Sequence, residues 1–128
     1  MQVQELGPGT ACYLVSEANG TRSREVVSIA QGQKLLPGAV LGKVATTGKY
    51  VAVDPANGSG EGGTPDGSQT AVAVLFAAVD TTAAEKPGVI TARDAEVDAH
   101  ALDWPAGTTE PQKTAALAQL AAVGIVAR

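Results

Sequence analysis

Residues 29–54 read IAQGQKLLPGAVLGKVATTGKYVAVD, and this stretch decides what kind of chain the protein is. Two apolar, β-prone runs flank turn residues. Leu35–Leu36 leads into Pro37–Gly38, where proline fixes φ for a turn and glycine accepts a positive φ. Val40–Leu41 and Val44 then build a strand that Gly42 interrupts. Thr46–Thr47–Gly48–Lys49 turns the chain, Tyr50–Val51–Ala52–Val53 returns, and Asp54–Pro55 stops it. The pattern predicts a β-hairpin around which the rest of the chain packs. It holds no constellation of catalytic residues, and that absence recurs along the chain.

The 128 residues suit one domain with a modest core. Aromatics make up 3%, so the core must be Val, Leu, Ile and Ala. Charged residues make up 17%, below the roughly one quarter usual for globular chains, which favours surface hidden against copies or a partner. The net charge is −4 but uneven. Residues 1–50 carry five basic and three acidic side chains, whereas residues 51–128 carry four and ten. Lys and Arg are scattered, so there is no footprint for a nucleic-acid backbone. Cys12 is alone, which leaves no internal disulfide and no cysteine metal cluster. The longest apolar run, Ala71–Val79, is too short to span a bilayer, and MQVQELGPG has neither part of a signal peptide. The expectation is synthesis in a cytoplasm, with no membrane and no nucleic acid as partner.

Before the hairpin, residues 1–24 read as a flexible arm broken by Gly7–Pro8–Gly9 and Asn19–Gly20. Within it Ala11–Val15 is β-prone and could add a strand to a partner's sheet. Arg22–Ile29 is the candidate first strand of the body, a single domain over 25–128.

After the hairpin, residues 55–69 form a Gly-rich loop. Its Gly58-Ser-Gly60-Glu-Gly-Gly63 formally matches a dinucleotide fingerprint, but Thr64–Pro65–Asp66–Gly67 and a strand follow where a helix is needed. Thr70–Val79 is apolar throughout, which predicts a strand buried on both sides. Val89–Ala92 is a further strand. From Arg93 to Ala101 the period is two, which would set Asp94, Glu96, Asp98 and His100 along one strand face. Same-face neighbours lie about 7 Å apart, so one cation cannot reach all four, and a solvated edge is the simpler reading. Trp104 is a candidate buried or interface anchor. Thr109, Pro111 and Gln112 are the capping box and first turn of a helix whose apolar side carries Leu117, Leu120, Ala121 and Val123, ended by Gly124. Ile125–Val126 is a last short strand.

The order LLPGAVLGKV, TGKYVAVDP, DGSQTAVAVL, VITARDAEV, ALDWP and a terminal Ala/Leu helix closing in GIVAR resembles the phage head decoration proteins of the lambda D type over residues 25–128. The resemblance implies a mainly β fold with short helices, of the β-clip kind, with a flexible N-terminal arm and a C-terminal helix. It implies homotrimers on the outer surface of the expanded head. These would sit at three-fold and quasi-three-fold positions, clamp the major capsid protein of the same phage, and stabilise the shell against internal DNA pressure. It implies an arm that orders on the capsid, which makes Tyr13, Leu14, Val15, Arg22 and Arg24 the capsid-contact candidates. No catalytic residue, cofactor or metal is expected. The alternative is a small β-barrel module binding a ligand or metal through the Asp94–His100 face.

Overall fold

The computed structural model describes residues 8–57 and 64–128. Its strands are β1 (Leu14–Glu17), β2 (Arg24–Ile29), β3 (Lys34–Leu35), β4 (Val40–Lys43), β5 (Tyr50–Ala52), β6 (Ala73–Leu75), β7 (Val79–Asp80), β8 (Lys86–Thr91), β9 (Ala95–Val97) and β10 (Ile125–Ala127). A 3₁₀ turn (Ala99–Ala101) and the helix α1 (Glu110–Ala122) separate β9 from β10. The protein is thus mainly β with short helices.

The predicted hairpin is present. Antiparallel β4 and β5 pair Leu41 with Ala52 and Lys43 with Tyr50, and Val44 N–H donates to the Lys49 carbonyl at 2.9 Å. Gly42 does not interrupt β4. It lies inside the strand because the Ser68 backbone crosses there: a Cβ at Gly42 would stand 2.3 Å from the Ser68 carbonyl oxygen. Around the hairpin, β2, β5, β4, β6 and β8 close into a barrel in that order. A short β3–β7 ladder and a three-stranded sheet, β1–β9–β10, complete the described strands.

Alternation along the barrel strands makes two cores. Leu41, Ala73, Leu75 and Ile90 point into the barrel and pack with Ile29, Leu35 and Ala39. Their neighbours Val40 and Val74 point outward into a second core with Tyr13, Val53, Ala71, Val97, Leu102, Ala116, Leu120 and Ile125. This explains the first part of the apolar run, Ala71–Leu75, where both faces are covered, whereas Phe76–Val79 are partly or fully exposed. The strand itself is shorter than predicted. Only Ala73–Leu75 belongs to β6, and Val79–Asp80 pairs separately with Lys34–Leu35.

Helix α1 begins as its sequence dictates. Gln112 N–H donates to Thr109 Oγ1 at 3.3 Å, and Thr109 N–H donates to Gln112 Oε1 at 2.9 Å. Gly124, at φ +90°, turns the chain out of the helix and into β10. The buried face is narrower than expected. Ala116 and Leu120 are buried and Leu117 partly so, whereas Ala121 and Val123 face solvent.

The 93–101 segment departs further from its prediction. Ala95 and Val97 are buried as alternation requires, but Asp94 has φ +51° and Asp98 caps the 3₁₀ turn, accepting from His100 N–H at 2.9 Å. The row of four therefore does not form on one strand face. The Gly58–Gly63 fingerprint lies outside the described residues.

Candidate functional site

A closed barrel has no free edge, whereas the small sheet beside it ends in two outer strands. β1 pairs with one side of β9, antiparallel, and β10 with the other, parallel. The contact candidates fall on or next to β1, but in unequal situations.

Tyr13 is wholly buried. Its hydroxyl is 2.5 Å from Thr91 Oγ1 on β8, and burial pushes its pKa up to about 12. It is a core residue that joins the small sheet to the barrel and not part of an exposed strand. Leu14 pairs with Val97 and is partly buried against the second core. The expected arm over 1–24 is therefore folded in its second part. From Ala11, whose N–H donates to the Phe76 carbonyl at 2.8 Å, the chain belongs to the body, because Tyr13 and Leu14 bury more favourably in its core than in water. Residues 1–7 lie outside those described.

Val15 differs from both. It sits at a bulge between Leu14 and Ser16 and is 57% exposed. Arg22 also reaches into solvent, its Nε 3.6 Å from Asp94 Oδ2. Arg24 is committed within the chain. Its guanidinium donates to both Glu17 carboxylate oxygens and lies over the Phe76 ring at 4.2 Å from the centroid. This pins β1 onto the start of β2. Trp104 is half-buried against the second core. The parallel bridge Ala39–Asp103 holds its segment, with Asp103 N–H donating to the Gly38 carbonyl at 2.8 Å.

The far strand of this sheet is the short strand read at Ile125–Val126, but the sequence reading did not single out Val126 as a surface element. On β10 Ile125 is buried while Val126 is exposed, and Arg128 Nε donates to Glu96 Oε2 at 2.7 Å. That hydrogen bond, then the charge of the guanidinium, hold the Glu96 carboxyl below its usual range. The signal was available in the alternation of Ile125 and Val126, but its partner strand was not. Together Val15 and Val126 give the small sheet an apolar element on each outer strand.

One of several grooves, of about 450 Å³, lies between the base of the Gly-rich loop and the turn before α1. Asn57 Oδ1 accepts from Asp66 N–H at 3.0 Å, and Asp66 Oδ1 accepts from the Ser68 hydroxyl at 2.6 Å and the Ser68 N–H at 2.9 Å. The hydroxyl bond, then the backbone bond, hold the Asp66 carboxyl below its ordinary range. These contacts clasp the two feet of the loop together. Among the described residues no group of three or more His, Cys, Asp or Glu side chains is placed to hold a metal ion. His100, the single histidine, is exposed, with its Nδ1 3.5 Å from Asp98 Oδ1. Among the described residues no helix is long and apolar enough to cross a membrane.

This arrangement offers edges and surface for assembly. The family model of the bacteriophage lambda head decoration protein D matches residues 3–125. The chain belongs to that family. Comparison with curated proteins returned no match. As a head decoration protein the chain is a structural component associated with the capsid shell of the virion.

Proposed function

We propose that this head decoration protein is a cement. It binds as a homotrimer on the outer surface of the expanded head at three-fold and quasi-three-fold positions, and it holds neighbouring major capsid proteins against internal DNA pressure. The observation that carries the reading is the small open sheet beside an edgeless barrel, with Val15 exposed on its outer strand β1. Main-chain groups at such an edge pair with an added strand. A trimer presents three such edges at once, so modest contacts combine into strong binding. Because the site exists only on the assembled lattice, binding stabilises the shell by mass action.

Within this reading the residues ahead of Tyr13, together with Val15 and Arg22, meet the capsid. Tyr13 and Leu14 anchor the segment, and Arg24 orients it through Glu17.

The test is co-sedimentation with expanded and unexpanded shells of the encoding phage. Saturable pelleting with expanded shells only, near one copy per major capsid subunit, is expected. Deleting residues 1–10 spares Tyr13 and leaves the body folded. It should weaken binding at least about tenfold, or 1.4 kcal/mol. Undiminished binding by the deletion variant would sink the arm mechanism, and no pelleting with either shell would sink the cement reading.

A further inference from the structure

Both asparagines of the chain precede glycine, as Asn19–Gly20 and Asn57–Gly58, but the fold treats their side chains differently. Asn57 is half-buried, and its Oδ1 accepts from Asp66 N–H at 3.0 Å while its own N–H donates to the Asp54 carbonyl at 2.9 Å. Asn19 is exposed in the connection between β1 and β2, and no described residue holds its side-chain amide. Gly20 has φ +69°, and a Cβ built on it would meet nothing within 4 Å. The space beside the Gly20 Cα is therefore open, and no side chain crowds this step of the connection. The connection is anchored at both ends, by Ala18 N–H donating to Ser23 Oγ at 3.0 Å and by Arg24 N–H donating to the Thr21 carbonyl at 3.0 Å.

We infer that Asn19 is a site of spontaneous deamidation in the folded protein and that the Asp66 clasp protects Asn57. The Gly20 backbone nitrogen attacks the Asn19 side-chain carbonyl carbon. A carbon–nitrogen bond forms, the Cγ–Nδ2 bond breaks, and Nδ2 leaves as ammonia with the proton lost from Gly20 N–H. Water then opens the five-membered succinimide at either carbonyl. Opening at one gives aspartate, and opening at the other gives isoaspartate. Nothing is oxidised or reduced, and water is the only co-reactant. The product places a carboxylate three residues before Arg22, where it competes with Asp94 for the guanidinium, and takes the net charge from −4 to −5. The isoaspartate form also adds a carbon to the main chain of the β1–β2 connection. The edge of the small sheet thereby carries a one-way chemical record of the protein's age.

The experiment incubates the whole protein at mildly alkaline pH, folded and in denaturant, and follows both asparagines by peptide mapping and isoaspartate labelling. In the folded protein Asn19 should convert about fivefold faster than Asn57, the ratio that one net hydrogen bond sets. In denaturant the two should convert at similar rates. Asn19→Gln should abolish the faster process and leave the slower unchanged. Equal rates in the folded protein, faster conversion of Asn57, or the same ratio in denaturant would overturn the inference.

Discussion

The two cores of this protein are built in opposite ways. The barrel interior is filled by Ile29, Leu35, Ala39, Leu41, Ala73, Leu75 and Ile90, all aliphatic, delivered by strands with mostly antiparallel neighbours. The second core lies between the outer faces of β4 and β6, the small sheet and α1. It includes a tyrosine, with Trp104 packed against it, and gathers residues from Tyr13 to Ile125. Its polar atoms need partners, and Tyr13 and Thr91 supply each other. The first core needs only alternation; the second needs the chain's distant parts in register. A closed barrel can stand as a scaffold while the layer beside it carries the edges available for binding.

The comparison breaks first at its largest side chains. Leu75→Ala empties a wholly buried site in the barrel and should cost about 3–4 kcal/mol, with loss of hydrogen-exchange protection across both layers. Leu120→Ala should cost about 2–4 kcal/mol and release β9 and β10 while β4, β6 and β8 stay protected. Uniform loss of protection in both variants would mean that the two cores unfold as one.

Alkaline titration gives the next effect and falls mainly on the second core. Burial favours neutral Tyr13 in the folded chain. Its contribution is therefore complete below the ordinary tyrosine pKa of 10.0 and is lost as pH rises toward about 12. The loss should be about 2–3 kcal/mol, followed by denaturant melts across that range. Tyr50 on β5 is raised in the same sense, also by burial, so Tyr13→Phe is the control. The variant should be less stable at neutral pH by about 1–2 kcal/mol, because Thr91 Oγ1 loses its partner, yet should lose less on alkalinisation. Equal alkaline losses in both proteins would remove Tyr13 as the cause.

The smallest effect is at the helix start. Thr109→Ala removes the acceptor for Gln112 N–H and should lower stability by about 1 kcal/mol by thermal melt, with barrel exchange unchanged.

Local signals were legible in the sequence and non-local ones were not. Pro37–Gly38, the Val44–Lys49 turn and the Thr109–Gln112 box lie within a few residues of the structure they specify, and each reads correctly. The run at 71–79 betrayed burial on both faces for Ala71–Leu75 but not where the strand stops, because the chain bends at Phe76–Ala77. Asp94 looked like one more member of a period-two row. Its positive φ, supported by hydrogen bonds from Ala18 N–H and Ser23 Oγ to its carbonyl, is a tertiary outcome that alternation cannot report. The burial of Tyr13 and the stacking of Arg24 were illegible for the same reason: their partners Thr91 and Phe76 stand 78 and 52 residues away in sequence. Of the contact candidates named from sequence, Val15 and Arg22 lie exposed, and Val126 was missed because nothing local ties β10 to β9.

The clasp of Asn57, Asp66 and Ser68 has an evolutionary consequence. It fixes the separation of two points on the chain whatever runs between them, and the tight crossing of Ser68 over Gly42 locks one of those points to the barrel. Doubling the length of the intervening segment then costs only about 0.6 kcal/mol of closure entropy. Descendants of this chain are free to gain, lose or rewrite residues between those points without asking the barrel to adapt, so novelty can accumulate by insertion while the scaffold stays still.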